Sequence, residues 1–290
     1  MRLVTYRYGP DIGLGAWQGE SIVDLAAVAP DMLTLIAMEA EGMAQAKEII
    51  GAPAVSYPVG DVTILAPIPA PIRNIMCLGL NYAEHAKESY AATGQRAELP
   101  EVPIVFTKAT TAVIGPFDPI PFNPQVSTDI DWEVELAFII GREGMNIPKS
   151  EAMDYVFGFT VLNDVSARDL QRQGKQFFKG KSLDGSCPLG PWILTLDEAP
   201  DTSSLRITSR VNGVTKQNSN TAHMIFDLPS IIAYLSRGMT LLPGDIIATG
   251  TPSGVGFARQ PPEFLQPGDV VECEVEGIGV IRNEVVSASS

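Results

Sequence analysis

The 290-residue chain is 45% hydrophobic and carries 34 acidic against 20 basic side chains, for a formal net charge of −14. That apolar content supports a substantial core, in one large domain or a large domain with a small companion, and excludes a disordered chain. The negative charge opposes the counterion-releasing phosphate contacts of nucleic-acid binding, and no run approaches the ~18 apolar residues of a membrane span.

The opening "MRLVTYRYGP" lacks the apolar core of a signal peptide, so the expectation is a soluble cytoplasmic protein with neither nucleic-acid nor membrane partner. "MRLVTYRYG" and "GAWQGESIVDL" read as a strand pair, and "PDMLTLIAMEAEGMAQAKEII" as a helix. The proline-dense "APIPAPI" at 66–72 follows, where successive prolines block helix and ladder hydrogen bonds alike. It sets an expected boundary between a small N-terminal α/β domain, 1–66, and a larger domain, 67–290.

Beyond the boundary, short β-rich runs are punctuated by Gly and Pro, among them "NIMCLGLNY", "PIVFTKATTAVIG", "DWEVELAFIIG", "VFGFTVLNDVS" and "LGPWILTL". Helices are fewer. "YAEHAKES", 82–89, is one short candidate, followed by an expected loop at about 90–101. "DLPSIIAYLSRG" has a capping Asp, an early Pro and a closing Gly, which predicts a helix over 228–237. "LLPGDIIATG" and "LQPGDVVECE" are each a turn feeding a strand. Cys77, Cys187 and Cys273 form neither a CxxC pair nor an even framework, as expected of buried free thiols.

In "DWEVELAFII", Glu133 and Glu135 share one strand face, with Asp131 one step earlier, and Trp132, Val134 and Leu136 take the other. Two readings are open at this point: the solvent face of a half-exposed edge strand, or a functional cluster. The run "FGFTVLNDVSARDLQ" ends in Asn163 and Asp164, and a carboxylate closing a buried strand is costly unless paired, hydrogen-bonded or bound to a cation. Three hard oxygen donors suit Mg²⁺ or Mn²⁺ better than Zn²⁺, because no second His or Cys stands beside them. Three carboxylates on a divalent ion leave a negative balance, which an anionic substrate would need offset by Arg168 and Lys181.

His85 and Glu88, three apart on the candidate helix, are either a surface pair or a dyad able to deprotonate water. His223 has no comparable partner and reads as structural. "TGTPSGVG" lacks the Gly-Lys-Ser/Thr ending of a P-loop and does not match GxGxxG, so a nucleotide site is rejected; backbone N–H groups and the Thr251 hydroxyl could still meet an anion.

Taken in order, "GLNYAEHAKE", "PIVFTKATTAVIGP", "DWEVELAFIIG", "GFTVLNDVSARDLQ", "GKSLDGSCPLGPW" and "GDIIATGTPSGVGF" resemble the fumarylacetoacetate hydrolase family over about residues 70–286. The first 66 residues resemble the variable small domain of many bacterial members. The resemblance implies an α+β, mainly β fold built on a mixed β-roll, assembled as a homodimer. It implies Glu133, Glu135 and Asp164 as Mg²⁺ or Mn²⁺ ligands, His85 and Glu88 as a lid dyad, and Asp131 outside the ligand set. Arg168, Gln171 and Lys181 would surround the oxo and carboxylate groups of a small anionic oxo-acid, with Thr251 in contact from the turn.

The leading expectation is a hydrolase that cleaves a C–C bond in 2,4-dioxo acids of the acylpyruvate or fumarylpyruvate type, giving pyruvate and a carboxylic acid. There His85 would activate water and Lys181, helped by Gln171, would stabilise developing charge. The alternative is an isomerase or decarboxylase of 2-oxo-dicarboxylates from aromatic catabolism, of the 5-carboxymethyl-2-hydroxymuconate or oxaloacetate type. A reading from another class is a non-catalytic β module with a surface Ca²⁺ site, which would have no use for His85, Arg168 and Lys181.

Overall fold

The computed structural model describes residues 1–94, 96 and 98–288. Its largest sheet has twelve strands, ten of them in one path: Ser56–Pro58, Ser21–Asp24, Asp11–Gln18, Arg2–Tyr8, Cys187–Thr195, Val156–Asn163, Val134–Ile140, Ile246–Ala248, Ile75–Gly79 and Ile104–Lys108. Pairing is mostly antiparallel, but Ile246–Ala248 runs parallel to Ile75–Gly79. A five-stranded sheet, running Val214–Asn220, Arg206–Val211, Val270–Val275, Gly279–Ser287 and Ile120–Phe122, packs against it. The architecture is α+β and mainly β, a mixed β-roll with a small α/β portion at the N-terminus.

Strand Val134–Ile140 explains where the site must lie. Its period-two alternation divides between two cores: Leu136, Phe138 and Ile140 pack with Ile207, Val271 and Ile281 of the smaller sheet. Ala137 and Ile139 pack instead with Leu3, Leu35, Ile36, Leu189 and Ile246. The strand is therefore buried on both sides, and the face carrying Glu135 is the one continued by Ala137 and Ile139.

The N-terminal segment joins this second core directly. Arg2–Tyr8 pairs with Cys187–Thr195 through Leu3↔Ile193, so the proline-rich joint at 66–72 separates two stretches of sequence that share one sheet. The helix expected over 30–50 is two helices, Met32–Ala37 and Glu39–Gly51, and Glu39 at φ 49° turns the chain between them. The predicted strand pair is a three-stranded meander.

Other local expectations hold. Asp227 caps Leu228–Leu235 by accepting from Ser230 N, Pro229 stands in the first turn, and Leu228, Ile231, Ile232 and Leu235 face the core. The short helix runs Ala83–Ala92, so it takes in the start of the expected 90–101 loop; Gln95 and Ala97 of that loop lie outside the described residues. All three cysteines are free and buried. No described helix is long and apolar enough to cross a membrane.

Candidate functional site

The acidic stretch is not one unbroken strand. Ile130–Asp131 pairs with Ser166–Ala167, the chain leaves the ladder at Trp132 and Glu133, and it re-enters at Val134. Side chains replace the missing ladder bonds: Glu133 N donates to Asn163 Oδ1 at 3.0 Å, and Val134 N to Gln217 Oε1 at 3.1 Å. Every residue from Ile130 to Ile140 is buried, which removes the edge-strand reading. The register Val134↔Asn163 brings the next turn alongside, where Asp164 N donates to Glu133 O at 2.9 Å.

Glu133, Glu135 and Asp164 thereby converge, each offering an oxygen within 4.8 Å of the others, at 5%, 1% and 0% exposure. Lys181 Nζ lies 2.8 Å from Glu133 Oε2 and 2.7 Å from Asp164 Oδ2. It reaches them from the helix Phe178–Lys181, which sits so close to its neighbour that a Cβ on Gly180 would fall 2.5 Å from Gln171 N. Glu135 Oε2 accepts from Gly250 N at 2.7 Å. Gly250, at φ +92°, occupies a conformation and a space that a side chain would spoil, since its Cβ would meet Asn81 Cβ at 2.9 Å.

The electrostatics are asymmetric. Burial would raise the Glu133 carboxyl, but Lys181, Arg168 and His85 outweigh it and hold it at about 2. Burial, then the charges of Asp164 and Glu133, push Glu135 well above the usual carboxylate range. Burial works against the Lys181 charge, but Asp164 and Glu133 more than restore it and raise the ammonium above its ordinary value. Glu135 Oε1 is buried with no hydrogen-bond partner among the described residues. Three converging hard oxygens, one of them orphaned, fit a divalent cation of the Mg²⁺ or Mn²⁺ kind.

Asp131 belongs to the frame. Its carboxylate accepts from Trp132 N, Gly256 N, Phe257 N and Arg168 Nε at 2.7–3.0 Å, which pins the 254–257 loop against the strand entry. Arg168, expected at the substrate, already has an oxygen near each guanidinium nitrogen: Asp131 at 2.8 Å from Nε, Gln171 at 3.0 Å from Nη1 and Glu133 at 2.6 Å from Nη2. The last contact is close but off the N–H direction, an ion pair more than a hydrogen bond. The Thr251 hydroxyl is likewise engaged, donating to Val134 O at 2.9 Å and accepting from Gln217 Nε2 at 2.7 Å.

Above the triad opens a cavity of about 890 Å³ whose wall includes His85, Glu133, Arg168, Gln171, Lys181 and Thr251. Glu135 and Asp164 lie beneath it. His85 Nδ1 is 3.4 Å from Glu88 Oε2, and Glu88 in turn accepts from Gly254 N at 3.0 Å, so the helix carrying the pair is tied to the 254–257 loop. His223 is exposed and pairs only with Ser219 Oγ at 3.1 Å among the described residues.

Sequence reasoning missed Lys108, which is fully buried with Nζ 2.7 Å from Asp164 Oδ1 and 3.2 Å from Val165 O. A signal existed: Lys108 follows Phe106 at i+2, a cation on an apolar strand face. It also missed Gln217, whose amide ties Val134 to the 251–252 turn, and Arg172 on the cavity wall. Neither carries a local signal.

A family model described as fumarylacetoacetate (FAA) hydrolase C-terminal matches residues 74–286. The chain is 44% identical over 296 residues to a mitochondrial oxaloacetate tautomerase of Bos taurus, covering 99% of this chain and 92% of the relative. It is 45% identical over 229 residues to an oxaloacetate tautomerase of Bacillus subtilis (strain 168), covering 79% and 75%. Among solved structures, a fumarylacetoacetate hydrolase from psychrophilic Exiguobacterium antarcticum superposes with a TM-score of 0.87 at 38% identity, covering 99% of this chain and 100% of the other.

Proposed function

The chain belongs to the fumarylacetoacetate hydrolase family, and from that premise we propose that it is a divalent-metal-dependent tautomerase acting on a 2-oxo-dicarboxylate of the oxaloacetate type. The observation that carries this is the 44% identity, across 99% of the chain, to a protein named for that activity. The order of the two enzyme readings is thus the reverse of the one drawn from sequence, where hydrolysis stood first.

Tautomerisation moves one proton between the C2 oxygen and C3, so the chain must stabilise an enolate-like oxygen and carry a proton. Mg²⁺ or Mn²⁺ held by Glu133, Glu135 and Asp164 would supply Lewis-acid polarisation of the 2-oxo group. Lys181, kept charged between Glu133 and Asp164, supports negative charge developing beside it. His85, on the cavity wall, takes the proton from one atom and returns it to the other, with Glu88 orienting the ring and Gly254 N–H fixing Glu88. No water is consumed.

Hydrolysis of a 2,4-dioxo acid is the second reading, favoured by the same His85–Glu88 pair acting on water. Stopped-flow ultraviolet absorbance of the oxaloacetate enol, with Mg²⁺ and with EDTA, separates the two when combined with proton NMR of 2,4-dioxo acids. The tautomerase reading expects metal-dependent acceleration of enol decay and no cleavage. Pyruvate released from the dioxo acids with enol decay unchanged would transfer the assignment to a hydrolase.

A further inference from the structure

A dicarboxylate entering this cavity brings a second negative charge that must be met away from the metal end, because an unpaired carboxylate among apolar walls is costly. The cavity wall includes the apolar Ile104, Phe106, Phe177 and Phe257, of which Phe106 and Phe257 lie under the Lys181 and Arg168 cations. Among the described residues the basic side chains on the wall are His85, Arg168, Arg172 and Lys181. Two are engaged below: Lys181 between Glu133 and Asp164, and Arg168 among Asp131, Gln171 and Glu133.

Arg172 differs from both. It sits four residues after Arg168 on the helix Arg168–Gln173, hence on the same face and about 6 Å farther along the axis. Its side chain is 54% exposed, and its one ionic partner among the described residues is Asp129, 2.7 Å from Nη2. Exposed pairs of this kind are weak and screened by salt, so a substrate carboxylate can displace or share it. Arg168 touches Glu133 and marks the metal end, so Arg172 lies one helical turn beyond, about as far as the two ends of a short dicarboxylic acid are apart.

We propose that Arg172 anchors the distal carboxylate of the substrate and makes the cavity selective for 2-oxo-dicarboxylates over 2-oxo monoacids. The substrate class rests on the tautomerase reading; the anchoring group rests on the geometry. The planar fork of an arginine grips a carboxylate through two parallel N–H···O bonds, which a methyl terminus cannot accept.

Calorimetric binding of 2-oxoglutarate and of 2-oxopentanoate, its chain-length match without the second carboxylate, tests this on the full chain with Mg²⁺. Replacing Arg172 by Met is expected to weaken 2-oxoglutarate about 10- to 100-fold and to leave 2-oxopentanoate unchanged, with Arg172→Lys recovering part of the loss. In turnover, KM for oxaloacetate rises while kcat holds, the signature of lost uniform binding. Equal weakening of both ligands, no weakening of either, or a parent protein that does not prefer 2-oxoglutarate would each overturn the proposal. Failure of oxaloacetate turnover by the parent protein speaks against the tautomerase reading instead, and leaves the ratio of the two binding constants readable.

Discussion

Replacing Asp131 with Asn exchanges one carboxylate oxygen for an NH₂ and leaves the shape, yet it removes a charge from the most heavily used acceptor in the frame of the site. Oδ1 takes Trp132 N and Gly256 N, while Oδ2 takes Phe257 N and Arg168 Nε. An amide can keep only one oxygen. If that oxygen stays with Trp132 and Gly256, its NH₂ faces two donors, and Arg168 in the interior loses one of its two carboxylates. Removing one partner of a buried ion pair costs about 3–5 kcal/mol, against a typical total stability of about 5–15 kcal/mol. Equilibrium urea unfolding in EDTA would read this as a lower midpoint at unchanged slope. A loss under about 1 kcal/mol, the value of an exposed pair, would show that the Asp131 hub does not hold the strand entry and the 254–257 loop together.

Other perturbations follow from the same geometry. His85→Gln should lower kcat about 10²- to 10⁴-fold while calorimetric Mg²⁺ affinity stays at the parent value; a parallel loss of metal would make His85 part of the metal centre. For Glu135, whose folded carboxyl is raised, the favourable contribution to metal-free stability is present at low pH and is lost as pH rises from the ordinary carboxylate range through the raised value. Glu135→Gln should therefore be more stable than the parent without metal at neutral pH, with the gap closing toward pH about 4. The same variant should lose the Mg²⁺-induced rise in Tm, read by differential scanning fluorimetry. Asp227→Ala removes the cap on Leu228–Leu235 and should cost about 1 kcal/mol in urea unfolding with turnover unchanged, because that helix lies outside the cavity wall.

Much of the centre was legible because its chemistry is written in adjacent or strand-spaced residues. Glu133 and Glu135 at i and i+2, Asp164 closing an apolar run, and Asp227 before Pro229 each state a local physical problem whose solution the fold supplies. The break at Trp132–Glu133 was not legible. It exists because Asn163 and Gln217 satisfy the Glu133 and Val134 N–H groups, and Gln217 comes from a strand 83 residues away. Nor could the reading of one helix over 30–50 anticipate the left-handed Glu39 that divides it.

The sequence by itself determined which groups can do chemistry here: three carboxylates for a hard cation, a His–Glu pair, and Arg and Lys near the second strand. Only the tertiary structure decided how those groups are shared out. It commits Arg168 to Asp131 and Glu133, spends the Thr251 hydroxyl on Val134 O, buries Lys108 against Asp164, and leaves Arg172 with Asp129 as its one ionic partner among the described residues. The physical reason is that a charged or polar side chain reaches only a few ångströms, so its partner is chosen by whichever element the fold lays beside it. Asp131 and Gly256 are 125 residues apart in the chain and 2.7 Å apart in the folded protein.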